Sequence, residues 1–288
     1  MSTVAAPRAV VVVGASAGGV EALRTLIAGL PADLPAAVCV TLHIPPTMVS
    51  ALPRILSRAG ALPASHPADG APLLAGHVYV APADRHLLLD GDHVRLSPDP
   101  QEHGHRPAID PLFRSAARHW GALVAGVVLS GSGDDGTSGL RAVVARGGAA
   151  FAQAPQEALF PRMPRNAAER VSGCHVLPVA RLAPALAAFA AAVAGADVTR
   201  PDPPHPSPTE PPRSVPGLPD LPAGVADALR VAVRSLEEKA ELSERMSATA
   251  LDRGSATTAD RYRRAGAEAS RAGAVIRELI IRIGAAGP

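Results

Sequence analysis

Three residue types that together carry out acyl transfer occur at the ends of short apolar runs in this chain. Ser16 lies in Gly14-Ala15-Ser16-Ala17-Gly18-Gly19, directly after the run Ala9 to Val13. This satisfies G-x-S-x-G, in which small residues permit a sharp strand-to-helix turn with the serine oxygen at its tip and helix-start N–H groups facing an oxyanion. His43 closes a second run, Ala36 to Leu42, before Ile44-Pro45-Pro46 interrupts the chain. A third run, Leu123 to Leu129, ends in Ser130-Gly131-Ser132-Gly133-Asp134-Asp135-Gly136. Serine, histidine and aspartate are the parts of a nucleophile, a general base and a carboxylate that fixes the base's tautomer. Spacing leaves Asp134 and Asp135 with equal claims to the last role, and either also suits a helix cap near Gly136.

These residues converge only if the runs are neighbouring parallel strands, because open α/β sheets place ligands at the carboxyl ends of their strands. The alternation of strand-like and helical patterns over the first two-thirds of the chain predicts that architecture: a doubly wound, mostly parallel sheet with helices on both faces. Strands are predicted at Ala9 to Val13, Ala36 to Leu42, Leu123 to Leu129, Ala149 to Gln153 and His175 to Pro178. Between Gly76 and Ser97 the runs His77 to Ala81, His86 to Leu89 and His93 to Leu96 predict an antiparallel meander or hairpin attached to that sheet, turning at Asp90-Gly91-Asp92.

Beyond Asp197 the composition changes. Prolines at 201, 203, 204, 206, 208, 211, 212, 216, 219 and 222 predict a semi-extended linker over 197–222. Residues 223–288 then return to helical spacing, Val225 to Leu251 and Thr258 to Ile283 flanking Gly254-Ser255, which predicts a helical hairpin. The chain is therefore expected to comprise a catalytic domain at 1–196, the linker, and a helical extension that binds a partner or self-associates.

Composition removes several alternatives. Aromatic residues are 2% of the 288 and the formal charge is +2, which supplies neither stacking platforms nor a basic footprint for nucleic acid. A dinucleotide loop needs glycine where Ser16 stands and an acid at the end of the next strand, where the chain has His43. Lys239 is the sole lysine, so a phosphate-loop lysine, a Ser-Lys dyad and a Schiff base in the main domain all drop out. Cys39 and Cys174 are isolated thiols suited to packing, and no signal peptide or membrane span is legible, so the expectation is a cytoplasmic protein without metal or cofactor.

In its ordered blocks the chain resembles the catalytic domain of the chemotaxis-type protein-glutamate methylesterases. The blocks are Val13-Gly14-Ala15-Ser16-Ala17-Gly18-Gly19, His43-Ile44-Pro45-Pro46, Asp69-Gly70, Gly76-His77-Val78-Tyr79-Val80-Ala81-Pro82 with His86, and His105-Arg106-Pro107-Ala108-Ile109-Asp110. Leu129 to Gly136 and Met163-Pro164-Arg165 complete the set, which spans roughly residues 9 to 190. The resemblance implies Ser16 as nucleophile, His43 as base and Asp135, directly before Gly136, as the orienting carboxylate. It implies hydrolysis of glutamate γ-methyl esters on a methylated receptor or other signalling protein, glutamine deamidation as a side activity, and a role in chemotaxis-like signal transduction. By the same analogy, N–H groups near Ala17 and Ser132 form the oxyanion hole and Arg106 contacts the substrate or forms an ion pair.

The chain departs from the family at three places: Ser132 stands where a methionine is common, Ala17 where threonine is frequent, and Phe160 to Pro164 in place of a glycine-containing loop. No receiver domain is legible ahead of Ala9, which gives the expectation of a stand-alone form. A signalling adaptor that keeps the fold without catalysis, and a nucleotide-binding α/β protein, are the competing readings.

Overall fold

The computed structural model describes residues 5–196, residues 256–285 and scattered positions between 233 and 251. The chain divides into two compact units, Met1–Pro206 and Ser207–Pro288. The stretch expected to be a linker, 197–222, lies outside the described residues.

In the first unit a run of seven residues with no exposed surface, Ala9–Ala15, forms β1. Side chains alternate between the faces of a strand, so β1 is apolar throughout only because helices cover both sides. It pairs in parallel with β2 (Ala36–Leu42) on one side and β7 (Val124–Val128) on the other. With β3 (Ala64–Ser65), β4 (Val78–Val80), β8 (Ala149–Gln153) and β9 (His175–Leu177), the order is β3-β4-β2-β1-β7-β8-β9. The winding direction reverses at β1, which puts the ligand crevice at its carboxyl end, beside β2 and β7.

Two cores follow from the two faces. Val11 and Val13 meet α1 (Gly19–Ala28), α2 (Leu52–Ala59) and α6 (Val179–Gly195) through Leu23, Leu26, Leu56, Leu182 and Leu186. Val10 and Val12 meet α3 (Ile109–Trp120), α4 (Thr137–Ala145) and α5 (Arg162–Arg170) through Ile109, Phe113, Leu140 and Met163. Helix α3 begins hard against β1: a methyl group on Gly14 would lie 2.3 Å from the Ile109 side chain.

Of the meander or hairpin expected between Gly76 and Ser97, the structure has the hairpin, with two corrections. Val78 to Val80 belongs to the parallel sheet, paired with β2 and β3, so β5 (His86–Asp90) and β6 (His93–Ser97) alone form the antiparallel hairpin. That hairpin is a separate two-stranded sheet, packing Leu87, Leu89 and Val94 into the second core. The two-residue β3 was not predicted at all.

In the second unit, α7 spans Ala256–Ala285 and the described residues between 233 and 251 are helical. Ser247 Oγ donates to the Ala259 carbonyl at 2.9 Å, a Cβ on Gly266 would lie 3.2 Å from Ser243, and Arg277 pairs with Glu237. Contacts that recede along one segment as they advance along the other describe an antiparallel pair of helices.

Candidate active site

Ser16 follows β1 immediately, and its backbone is held before its side chain matters. The Ser16 N–H donates to the Ser130 carbonyl at 3.0 Å, while Ser130 Oγ donates to the Ala17 carbonyl at 2.9 Å. Ser130 Oγ also accepts the Phe160 N–H at 2.9 Å, and Gln153 Oε1 accepts the Ser130 N–H at 2.9 Å. The turn is completed by Gly18, whose φ of 69° is left-handed and whose Cβ position is closed by Leu159 and Ser130. Together these contacts fix the start of α1 with Ser16 8% exposed.

His43 leaves the end of β2, where its N–H continues the ladder to the Ala15 carbonyl at 3.1 Å. Its Nδ1 lies 3.2 Å from Ser16 Oγ and its Nε2 lies 2.8 Å from Asp135 Oδ2. Asp135 is ionised and can only accept, so Nε2 carries the ring proton and Nδ1 presents its lone pair to the serine. The two ring nitrogens thus exchange the places they hold in the serine-protease arrangement. The His105 ring stacks on His43 at 3.7 Å between centroids and 12° between planes, restricting its rotation.

Asp135 has no exposed surface, and burial by itself would raise its carboxyl. The hydrogen bond from His43, the charges of His43 and His103, and the Ile109 N–H outweigh that effect and hold it well below the usual carboxylate range. Oδ2 accepts the Ile109 N–H at 2.8 Å, and Oδ1 accepts the N–H groups of Asp110 at 3.0 Å and Gly136 at 2.9 Å. Three donors come from the amino ends of α3 and α4, where unpaired N–H groups and the helix dipole favour an anion. Asp134, the other candidate, is partly exposed and lies 3.8 Å from both His103 Nδ1 and Arg170 Nη1.

Behind the three residues stands an arrangement that spacing did not reveal. Asp110, 1% exposed, directs Oδ1 at the N–H groups of Gly136 and Gly139, at 3.0 and 2.6 Å, and so caps α4 from a neighbouring helix. Its Oδ2 accepts a hydrogen bond from His103 Nε2 at 3.0 Å. His103, Asp110 and Asp135 each bring a ligand-type atom within 4.8 Å of the others, but those atoms already bond one another and backbone N–H groups. The only sequence signal for Asp110, His105 and Ser130 was their place in the blocks His105 to Asp110 and Leu129 to Gly136; nothing singled out His103 or Gln153 as supports.

The remaining candidates are placed as follows. Among the described residues, neither the Ala17 N–H nor the Ser132 N–H donates a hydrogen bond, and Ser132 Oγ is buried without a partner. Gly131 separates Ser16 from Met163: a methyl group there would lie 2.8 Å from Ser16 Cβ and 2.3 Å from Met163 Sδ. Arg106 is engaged within the fold. It donates from Nε and Nη2 to Asp84 Oδ1 at 2.9 and 2.6 Å, and from Nη1 to the carbonyls of Pro98 and Asp99 at 2.7 and 2.9 Å. These contacts correspond to the ion-pair alternative and brace the segment leading into α3.

The chain is similar to several known proteins. Residues 11–186 match the family model described as CheB methylesterase. A protein-glutamate methylesterase/protein-glutamine glutaminase of Anaeromyxobacter dehalogenans is 40% identical over 181 residues, covering 62% of this chain and 50% of that protein. One from Pseudomonas aeruginosa is 39% identical over 181 residues, covering 62% and 52%. The crystal structure of the Thermotoga maritima CheB methylesterase catalytic domain superposes with a TM-score of 0.60 at 30% identity, over 63% of this chain and 98% of that one. The chain spans about half the length of the curated relatives it matches.

Proposed function

Since this chain belongs to the CheB methylesterase family, we propose that it is a serine esterase removing methyl groups from glutamate γ-methyl esters on a chemoreceptor-like signalling protein. The observation that carries the proposal is the continuous relay from Ser16 Oγ through His43 to Asp135, with steps of 3.2 and 2.8 Å.

His43 Nδ1 takes the Ser16 proton as Oγ attacks the ester carbonyl, and the tetrahedral oxyanion turns toward the N–H groups of Ala17 and Ser132. Collapse of that intermediate breaks the bond to the methoxy oxygen, which leaves as methanol with the proton from His43. Water then attacks the acyl-enzyme with His43 again as base, which releases the glutamate carboxylate and restores Ser16. Asp135 stays ionised throughout and stabilises the imidazolium formed at each step. A glutamine side chain presents the same carbonyl with an amide leaving group, so deamidation with release of ammonia follows the same route.

No described helix is long and apolar enough to cross a membrane. The proposed setting is the cytoplasmic side of a receptor, without nucleic acid or membrane insertion. The C-terminal helices serve a protein contact, with a partner or with a second copy. The test is methanol release from a methylated receptor fragment incubated with the purified protein. Stoichiometric release that disappears in Ser16→Ala supports the esterase; an intact ester after prolonged incubation favours the adaptor.

A further inference from the structure

The relay depends on a carboxylate that has a buried carboxylate for a neighbour. Asp110 and Asp135 are 1% and 0% exposed, and one donor, the Gly136 N–H, bonds both, at 3.0 Å to Asp110 Oδ1 and 2.9 Å to Asp135 Oδ1. Two anions so placed repel in a medium of low polarity, and backbone dipoles offset that only in part. Among the described residues, His103 is the ionisable cation that reaches both. Its Nε2 lies 3.0 Å from Asp110 Oδ2 and 4.0 Å from Asp135 Oδ1. The His103 backbone has a φ of 51°, uncommon outside glycine, on a short loop closed by the paired backbone bonds of Glu102 and His105 at 3.1 and 2.9 Å.

We propose that His103 is a positioning residue for the hydrolytic relay, its imidazole balancing the Asp110–Asp135 pair from the carboxylate oxygens that His43 does not use and so holding Asp135 in place beside His43. The inference rests on the reading of Ser16, His43 and Asp135 as that relay. The groups facing His103 are Asp110 from α3 and both Asp134 and Asp135 from the loop into α4. Arg170 of α5 stands behind Asp134 at 3.8 Å. On its own loop, Glu102 is committed to Arg114 at 2.6 Å and His105 to the His43 stack. The Asp110 hydrogen bond, opposed by burial and assisted by the charges of Asp135, Asp110 and Asp134, raises the His103 imidazole above its ordinary value.

With the His103 charge removed, the Asp110–Asp135 pair behind His43 is left more negative, and labelling through the relay is lost at a higher pH. His103→Gln keeps a donor for Asp110 without the charge; His103→Ala removes both. The experiment measures the rate of Ser16 labelling by a fluorophosphonate between about pH 5 and about pH 9 for the full chain and both variants, with thermal unfolding over the same range. For His103→Gln the acid limb moves up by about 0.5 to 1 unit, so labelling near pH 6 falls roughly 3- to 10-fold while the alkaline plateau stays within about 2-fold. His103→Ala shows the same displacement with a lower plateau.

The unfolding data supply an independent reading. A raised imidazole stabilises the fold below its ordinary value and loses that contribution as pH rises through the raised one. The melting advantage of the native chain over His103→Gln is therefore largest at the acid end and shrinks toward alkaline pH. Superimposable acid limbs in an active native chain and His103→Gln overturn the proposal, as does a melting difference that does not change with pH. Failure of the native chain to label at any pH sinks the esterase reading instead.

Discussion

Asp135 illustrates how a single buried group carries both stability and chemistry. Its carboxylate collects three backbone donors and the His43 ring, and Asp135→Asn leaves an amide N–H₂ facing donors with no lone pair to offer in return. The base then lacks its orienting anion, and kcat should fall by about 10⁴-fold with KM little changed, measured on a small activated ester. Because the folded carboxyl is held below its unfolded value near 3.8, its stabilising contribution is present above that pH and is lost as pH falls through the folded value. Acid unfolding should accordingly be steeper in the native chain than in Asp135→Asn, as followed by circular dichroism from neutral pH downward. At this scale the sequence was partly legible. Ser16 and His43 announced themselves as the ends of apolar runs, but the choice between Asp134 and Asp135 depends on which of two adjacent carboxylates turns inward. Spacing does not encode that; the N–H groups of α3 and α4 that gather around Asp135 decide it.

The elements that present these residues leave little room between them. Gly131, in the loop from β7 to α4, lies where a methyl group would meet Met163 Sδ at 2.3 Å and Ser16 Cβ at 2.8 Å. Gly131→Ala should therefore displace the nucleophile turn or α5 by a fraction of an ångström, lowering kcat by about 10²-fold while the far-ultraviolet spectrum stays unchanged. A variant with native kcat would show that the turn is not registered through this contact. The central parallel strands β1, β2 and β7 were legible because each is buried on both faces, and β1, β2 and β8 fall within two residues of their predicted limits. The run His77 to Ala81 was grouped with its sequence neighbours in an antiparallel meander or hairpin, whereas it pairs in parallel with β2 and β3. Burial of Val78, Tyr79 and Val80 alike marks a covered strand, whereas β6 alternates exposed His93 and Arg95 with buried Val94 and half-buried Leu96, as a hairpin on one core does. A run of three covered residues is too short for its pattern to reveal its partner, and β3, with two, leaves no pattern at all.

At the scale of the whole molecule, the family match ends at residue 186 and the first unit contains every group of the proposed relay. Residues 1–196 alone should hydrolyse a small ester with kcat/KM within about 2-fold of the full chain, because no step of the reaction draws on the second unit. Trp120, the sole tryptophan, is buried in the second core of the first unit and donates Nε1–H to the Gly91 carbonyl at 2.9 Å, so its emission reports unfolding of the first unit. The central claim is that one hydroxyl, made nucleophilic by its neighbours, attacks a carbonyl. The most direct measurement is peptide mass analysis of the intact protein after reaction with a fluorophosphonate. The account predicts a single adduct on Ser16, absent from Ser16→Ala and strongly reduced in His43→Ala; an unmodified Ser16, or an adduct that forms equally fast without His43, would contradict it.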